Sequence, residues 1–372
     1  MPPTRFTITV CSVPIMKLVQ DLPPGPLDIV GDIHGEIDAL KMLLSELGYD
    51  IEGFTPTDRK LVFIGDFCDR GPDSPGVIQL VEKLVSSGNA VAILGNHEIN
   101  LLTGDAKDGS GWFFDSRHAS DLPYYAPFQK ISNAAKPGII QFLNGLPIAL
   151  ERDDLRIVHA AWDQDQIDLI RNLPVGDIKR HHDEYERKIH AEALHTGLLN
   201  RYLQEKEKWQ IEIESESNPP PFLHAVADYE TLQNKYSPFK VLTSGVEART
   251  DRAFFSGNRW RFSDRLPWWN DYDQDIPVVV GHYWRLFDPT PDQPRSRYSL
   301  LFQDLESAAW HGKKNNVFCV DYSVGARWRN RKENLPVASR FRLAALQWPE
   351  KQLVFDSGEV VPTTKRPDRI VT

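Results

Sequence analysis

The chain has 372 residues, of which 41% are hydrophobic and 26% charged, and this is typical of a folded globular protein rather than a disordered or fibrous one. Its length accommodates one large α/β domain with an insertion, or two smaller domains. The net charge of −9 argues against broad binding to nucleic acid or to an anionic membrane, because such binding usually needs a basic surface.

The first 26 residues are predicted to form an N-terminal arm. Polar residues and a proline interrupt the apolar run Phe6–Val19, and no small-residue cleavage signal follows, so we predict a strand there rather than a signal peptide. No apolar stretch is long enough to span a membrane. The three cysteines include no C-x-x-C pair, which favours a reducing compartment. We therefore expect a cytoplasmic protein.

Strands and helices alternate after the proline-rich turn at Asp21–Pro26, and this alternation predicts parallel strands in an α/β sheet. Apolar residues recur at helical spacing between the strands, and a glycine follows each helix. The predicted strands are Leu27–Val30, Leu61–Ile64 and Ala90–Leu94, and the predicted helices are Glu36–Leu47 and Ser74–Ser87.

Residues 163–240 have a different character. Charges of both signs recur at three- and four-residue spacing in His181–Lys188 and Gln204–Lys208, which predicts exposed helices. We interpret this stretch as a charged helical insertion or cap on a single domain that spans residues 27–372. Further strands are predicted at Leu155–Val158, Val278–Val280, Val317–Val320, Arg342–Gln347 and Leu353–Phe355.

Five of these strands share one feature: the apolar run ends in a carboxylate, amide or imidazole side chain, usually beside a glycine. In an open α/β sheet, ligands bind outside the carboxyl ends of the strands, so these side chains should converge. The candidates are Asp32, His34, Asp66, Asn96, His159 and His282.

The chemistry of this set indicates a metal site. Asp32 and His34 are two residues apart, so in extended backbone their side chains project to the same side. Mixed oxygen and nitrogen ligands without thiolate suit Mn, Fe or Zn better than calcium or an iron–sulfur cluster. Six ligands exceed the need of one catalytic ion, and they favour two ions that share a carboxylate, an arrangement suited to in-line displacement at phosphorus.

The spaced motifs resemble the signature of the calcineurin-like metallophosphoesterases, and in particular of their phosphoprotein phosphatase branch. The resemblance covers roughly residues 27–284. It implies a four-layer α/β/β/α sandwich, here with a helical insertion. The motifs are Gly31-Asp32-x-His34-Gly35, Gly65-Asp66-x-x-Asp69-Arg70-Gly71, Gly95-Asn96-His97-Glu98, His159 and Gly281-His282.

The resemblance also implies how two divalent ions would be held and used. Manganese is the first expectation, with Fe, Zn, Mg, Co and Ni as alternatives. A hydroxide bridging the ions would attack phosphorus in line. One ion would be held by Asp32, His34 and Asp66, and the other by the shared Asp66 together with Asn96, His159 and His282.

The remaining roles implied by the resemblance concern the proton and the phosphate. His97 would protonate the leaving oxygen and Asp69 would orient His97. Arg70 would bind phosphate oxygens through its bidentate fork, and Asn96 would contact substrate as well as metal.

A second phosphate-binding arginine is expected between the last two histidine ligands, and Arg259 and Arg261 are the candidates. They lie in a segment rich in aromatic residues. These rings could stack a nucleobase, although core packing is the commoner use. The aromatic residues are Trp260, Phe262, Trp268 and Trp269.

Three departures from the eukaryotic protein phosphatases leave the substrate open. Ala160 and Ala161 follow His159 where that branch has two glycines, and Leu94 stands where it typically has arginine. The segment Cys319–Gly325 is similar to that of bacterial symmetrical diadenosine tetraphosphate hydrolases. The expected partner is therefore a phosphorylated protein or a dinucleoside polyphosphate, with the oligomeric state undetermined.

Other interpretations stay open at this point. The fold could serve as a non-catalytic phosphate- or nucleotide-binding regulatory module, although a complete ligand set speaks against it. A phosphodiesterase of nucleic acid is disfavoured by the acidic composition. Glu98 could support the ligands or be purely structural. Cys68 could sense redox state, but a small buried thiol is the commoner role.

Overall fold

A computed structural model describes residues 16–50, 58–256, 259–287, 301–302, 305–337 and 340–365. Most of the strand predicted from Phe6 therefore lies outside the described residues. No helix within these ranges is both long and apolar enough to cross a lipid bilayer.

Short strands and helices make up the described chain. The strands are β1 Val19–Asp21, β2 Leu27–Val30, β3 Lys60–Phe63, β4 Ala90–Ala92, β5 Ala149–Arg152, β6 Leu155–Val158, β7 Glu247–Phe255, β8 Trp260–Arg265, β9 Val278–Val280, β10 Ala309–Trp310, β11 Val317–Cys319, β12 Ala344–Trp348, β13 Gln352–Phe355, β14 Val360–Pro362 and β15 Thr364–Lys365. The helices are α1 Ile37–Glu46, α2 Ser74–Ser86, α3 Asn96–Thr103, α4 Asp115–Tyr125, α5 Lys136–Asn144, α6 Gln164–Ile170, α7 Ile178–His195, α8 Leu198–Lys208, α9 Gln210–Ile213, α10 His224–Tyr236, α11 Pro238–Ser244 and α12 Arg327–Lys332, with 3-10 turns at Trp268–Asn270 and Val324–Ala326.

Two sheets form the centre of the molecule. The six-stranded sheet has the order β14-β13-β12-β2-β3-β4, and the five-stranded sheet has the order β1-β5-β6-β9-β11. Strands β2, β3 and β4 are parallel, as the strand–helix alternation predicted. Strand β1 pairs with β5, so residues 19–21 of the predicted arm belong to this sheet.

Strand β3 explains how the layers pack. Val62 joins a buried cluster that contains residues of both sheets, such as Ile157 and Phe318. Leu61 and Phe63 point the other way, into the cluster that includes the helices. A strand covered on both faces is apolar throughout, and burying each such side chain contributes about 1.5–3 kcal/mol. The structure thus confirms the predicted α/β/β/α sandwich.

Residues 163–240 are largely helical, as predicted, and include α6 to α11. Helices α7, α8 and α10 share a small buried cluster of their own, which includes Ile189, Leu199 and Tyr229. The description of this stretch as a cap, and of residues 27–372 as one domain, stays a prediction. The β7–β8 hairpin that follows was not predicted, because its half-exposed strands mix charged and apolar residues.

Candidate metal and phosphate site

The predicted ligands come together where strands of both sheets end. On the side of the six-stranded sheet, the loops after β2 and β3 carry Asp32, His34 and Asp66, and Asn96 is the first residue of α3, which follows β4. Loops after β6 and β9 carry His159 and His282 from the five-stranded sheet. The candidate site therefore depends on how the two sheets face each other, which no single motif specifies.

Asp66 occupies the centre of this cluster. Its Oδ2 atom lies 3.3 Å from Nε2 of His159 and 3.7 Å from Nε2 of His34. Nε2 of His34 is in turn 3.9 Å from Oδ2 of Asp32. Ligand atoms of Asp66, His159 and His282 all lie within 4.8 Å of one another. Asp66 is thus placed where one carboxylate could be shared by two ions.

Backbone carbonyls orient two of the imidazoles. Nδ1 of His34 lies 3.0 Å from the carbonyl oxygen of Cys68, and Nδ1 of His159 lies 2.8 Å from that of Ile64. A ring nitrogen that faces a carbonyl carries a proton, so in each ring Nε2 is the nitrogen left to bind an ion, and it lies near Oδ2 of Asp66. This is the tautomer that a metal ion requires.

Within the cluster, three buried side-chain atoms lack a hydrogen-bond partner: Oδ1 of Asn96, Nε2 of His159 and Nε2 of His282. Leaving a buried polar atom unsatisfied costs about 1–3 kcal/mol. Although burial opposes it, the charges of Asp66 and Asp32 raise the pKa of His159 to about 10, so Nε2 of His159 holds a proton toward Asp66 unless a cation takes its place. These nitrogen and oxygen donors are of the kind that bind divalent metal ions.

Three of the proposed ligands have pKa shifts that favour the metal-binding protonation state, whereas burial, and next the charge of Asp321, raise the pKa of Asp32 well above its ordinary value. Burial, and next the charge of Arg70, lower the pKa of His34 well below its ordinary value. Burial, and next Arg265, do the same for the pKa of His282. Although burial opposes it, the charges of the neighbouring imidazoles keep the pKa of Asp66 well below its ordinary value. At neutral pH these groups are two neutral imidazoles and one carboxylate.

His97 and Asp69 form a separate pair beside the ligands. Nδ1 of His97 lies 2.5 Å from Oδ2 of Asp69, while Nε2 of His97 lies 3.9 Å from Oδ2 of Asp66. Asp69 is itself fixed, because its Oδ1 accepts from Nε1 of Trp112 at 2.6 Å and its backbone N–H donates to Ser74 Oγ. One nitrogen of His97 is therefore anchored and the other faces the site.

Glu98 joins two of the ligand-bearing loops. Its buried carboxylate accepts from the backbone N–H groups of Asp66, Phe67 and Gly95 at 2.8–2.9 Å. This geometry favours the supporting role over a purely structural one. The thiol of Cys68 also donates to Glu98, is fully buried, and has a pKa raised by burial, all of which favours packing over redox sensing.

Arg70 lies against the ligands and against a tryptophan that the sequence analysis missed. Its Nη1 is 3.1 Å from Nε2 of His34, and its guanidinium lies 4.9 Å from the ring centre of Trp284. Trp284 donates its backbone N–H to the buried Asp321 at 2.7 Å. The signals available in the sequence were weak: Trp284 is two residues beyond His282, and Asp321 lies within Cys319–Gly325.

Several of these residues have left-handed backbone conformations, which cost a non-glycine residue roughly 1–3 kcal/mol each. Packing around the loops must impose this shape, and Gly281 shows how closely they fit, because a Cβ there would lie 2.1 Å from Asp32 Oδ1. The left-handed residues of the site include His34 (φ 47°), Asp66 (51°), Asp69 (75°), Arg70 (68°), His282 (69°) and Trp284 (51°).

The aromatic segment of the sequence divides into core and hairpin. Phe262, Trp268 and Trp269 are buried, and Trp268 donates Nε1 to the carbonyl oxygen of Ala160, so these rings pack the core rather than offering a base a free face. Arg261 donates to the carbonyl oxygen of Ser256 within the hairpin. A phosphate-binding role for Arg259 and Arg261 stays a prediction. Arg265 is a further candidate, because its charge acts on His282.

Comparison with known proteins gives one family. The family model described as "Calcineurin-like phosphoesterase" matches residues 25–211, just over half of the chain. The symmetrical bis(5'-nucleosyl)-tetraphosphatase of Haemophilus influenzae is 26% identical over 340 residues, covering 88% of this chain and 96% of that relative. The asymmetrical enzyme PrpE of Oceanobacillus iheyensis is 49% identical over 74 residues, 19% of this chain, and this match spans only 30% of that relative.

Two solved structures also align along most of the chain. A putative diadenosine tetraphosphatase has 17% identity and a TM-score of 0.41, covering 94% of this chain and 99% of its own. A cold-active protein-tyrosine phosphatase of a Shewanella species has 15% identity and a TM-score of 0.46, covering 97% of this chain and 89% of its own.

Proposed function

Because the chain belongs to the calcineurin-like phosphoesterase family, we propose that it hydrolyses phosphoesters with two bound divalent metal ions and that its substrates are dinucleoside polyphosphates. The observation that carries this proposal is the convergence of the predicted aspartate and histidine ligands on one buried cluster, in which Nε2 of His282 and, at the start of α3, Oδ1 of Asn96 lack hydrogen-bond partners.

The ligands divide between the two ions around Asp66. When bound, such ions lower the pKa of a water molecule and neutralise negative charge on the phosphoryl oxygens. Asp66 would contribute to both ions, because its Oδ2 lies near Nε2 of both His34 and His159. One ion would take Asp32, His34 and Asp66, and the other Asp66, Asn96, His159 and His282.

His97 would supply a proton to the leaving oxygen. Its Nδ1 is held by Asp69, which prevents the ring from turning. Nε2 is left facing the cluster, close to Oδ2 of Asp66, where a phosphoryl group bound at the ions would lie within reach. Asp69 therefore acts through His97 rather than on the substrate.

Arg70 would hold the phosphoryl oxygens. Its planar fork matches two oxygens at once, and the indole of Trp284 gives it a platform that restricts its orientation. Asp321 would position Trp284 by accepting its backbone N–H. Because Trp284 already restricts the Arg70 side chain in the folded protein, less conformational entropy is lost when substrate binds.

The choice of nucleotide over phosphoprotein rests on the relatives. Proteins named as bis(5'-nucleosyl)-tetraphosphatases include one aligned over 88% of this chain. That likeness supports a dinucleoside polyphosphate, with a phosphoprotein as the alternative substrate. A non-catalytic module remains the alternative function, and the unpartnered ligand atoms argue against it. Manganese as the natural ion and a cytoplasmic location remain predictions.

The direct test is metal analysis followed by a substrate comparison. The purified protein should contain divalent metal, or take it up from Mn²⁺, and should hydrolyse diadenosine tetraphosphate to two ADP. Preference for phosphoserine, phosphothreonine or phosphotyrosine peptides would instead make it a protein phosphatase. A protein that takes up no metal and hydrolyses neither class after Mn²⁺ addition would contradict the proposal.

A further inference from the structure

Helices α4 and α12 present four side chains that the proposed mechanism does not use: Tyr124, Trp328, Arg329 and Lys332, here called the basic–aromatic patch. Tyr124 is 41% exposed, Arg329 and Lys332 are exposed, and Trp328 is half-buried. Single exposed aromatic residues are common on protein surfaces, so the grouping of two rings with two cations is the feature of interest here.

Rings and cations alternate within the patch. The rings of Tyr124 and Trp328 meet edge to face, with centroids 6.5 Å apart and planes at 88°. The guanidinium of Arg329 lies 5.3 Å from the centre of the Trp328 ring, and Nζ of Lys332 lies 5.2 Å from that of Tyr124. The patch therefore offers flat apolar surface and positive charge side by side.

On the α4 side, the patch is connected to Arg70. Tyr125 packs against Trp328 with centroids 5.2 Å apart, and its hydroxyl donates to Asp108. Next to Asp108, the carbonyl oxygen of Gly109 accepts the backbone N–H of Arg70 at 3.2 Å. After burial, Tyr125 and Asp108 are also the largest electrostatic influences on the pKa of Arg70, and both raise it. Tyr125, Asp108 and Gly109 thus connect the patch to Arg70.

On the α12 side, the patch is connected to His34. Gly325 lies directly against the His34 ring, because a Cβ there would be 2.3 Å from it. Gly325 belongs to the 3-10 turn that precedes α12, and Arg331 of α12 pairs with Glu36 at 2.7 Å, close to His34 in the chain. Helix α12 is therefore fixed to the ligand-bearing loop after β2, and its other cationic side chains, Arg329 and Lys332, extend from the border of the site.

We propose that the basic–aromatic patch binds a nucleotide moiety of the substrate, outside the phosphoryl group that is attacked. This inference rests on the proposed function, since it names the part of the substrate that lies beyond the ions. A nucleotide combines a flat base, which stacks on aromatic rings and guanidinium planes, with phosphates that pair with cations. A phosphoserine or phosphothreonine peptide would use the cations and leave the rings without a flat partner.

The test compares a nucleotide substrate with one that has no nucleoside. In the full Mn²⁺-loaded chain, Trp328→Leu and Lys332→Gln should each raise KM for diadenosine tetraphosphate about tenfold, the effect expected for losing one stacking or charge contact. Their kcat/KM for p-nitrophenyl phosphate should stay at the wild-type value.

Matched controls exist on the charged insertion. Lys206 lies 5.2 Å from the Tyr202 ring and Lys208 lies 5.1 Å from the Trp209 ring, so the same kinds of contact occur outside the patch. Lys206→Gln and Trp209→Leu should therefore leave both substrates unaffected.

Two results with an active wild-type protein would overturn the inference. Equal loss with both substrates would make the patch a structural element, and loss confined to phosphopeptides would make it a protein-docking surface. If the wild-type protein hydrolyses nothing, the proposed function fails, and binding of a fluorescent N-methylanthraniloyl ADP then decides. Tenfold weaker binding by Trp328→Leu, but not by Trp209→Leu, would support the patch, whereas equal binding by all three proteins would refute it.

Discussion

Charged side chains behave in opposite ways in the candidate site and in the insertion. On α7, Lys179 and Asp183 pair at 2.6 Å across one helical turn, and both are exposed. Such surface pairs contribute little because water already solvates each charge. In the candidate site, Asp32 and Asp66 are almost completely buried, each with histidine beside it. The number of charged residues in a segment therefore does not identify a functional site. Charged groups that are buried without a full set of partners do indicate one.

The largest effect is expected when a buried aspartate of the site and an exposed aspartate of the insertion are each replaced by asparagine. Asp66→Asn removes the carboxylate that both ions would share, so we expect hydrolysis to be abolished and metal content to fall. Asp183→Asn, on the exposed helix, should change neither. Activity assays and elemental analysis of both variants measure the difference. A fully active, metal-loaded Asp66→Asn protein would contradict the two-metal assignment.

The next largest effect is expected from removal of metal, which acts on the candidate site. A chelator should stop hydrolysis and lower the thermal unfolding midpoint, because buried acceptors such as Nε2 of His282 would lose their partner. At free ion about 100-fold above Kd, rebinding should restore about 2.7 kcal/mol of stability. Scanning calorimetry before and after Mn²⁺ addition measures this. An unchanged midpoint would mean that the cluster does not hold metal.

His97→Ala should have a smaller effect than loss of the ligand. We expect turnover to fall by about 10²–10⁴-fold, the usual contribution of general acid catalysis, while metal content is retained. The loss should be smallest for p-nitrophenyl phosphate, whose leaving group needs little protonation. Steady-state kinetics with alkyl and aryl phosphates test this, and equal losses for all substrates would count against the acid role.

The smallest effect is expected at Trp284, and it tests how Arg70 is held in the site. Trp284→Leu should raise KM by about tenfold and weaken inhibition by inorganic phosphate, because Arg70 would lose its platform. Trp284→Phe should restore much of the binding, since it keeps a ring face. A change in kcat alone, without any change in phosphate inhibition, would show that Trp284 does not act through Arg70.

Features that depend on residues close together in the sequence could be predicted, and features that depend on residues far apart could not. The ligands Asp32, His34 and Asp66 were predictable because each directly follows a short buried strand, and strand ends in such sheets converge. The helices of the insertion were predictable for a similar reason, since their charge spacing is local.

What only the tertiary structure decided involves residues far apart in sequence. Three contacts join separate segments of the chain. They are the packing of Trp284 on Arg70, the hydrogen bond from the Trp284 backbone N–H to Asp321, and the contact between Tyr125 and Trp328. The electrostatic influence of Arg265 on His282 likewise joins distant segments, because it arises from the packing of the hairpin near the loop after β9. Motifs specify residue types and local backbone, whereas such contacts arise when two sheets and their loops pack together, and packing is a property of the whole chain.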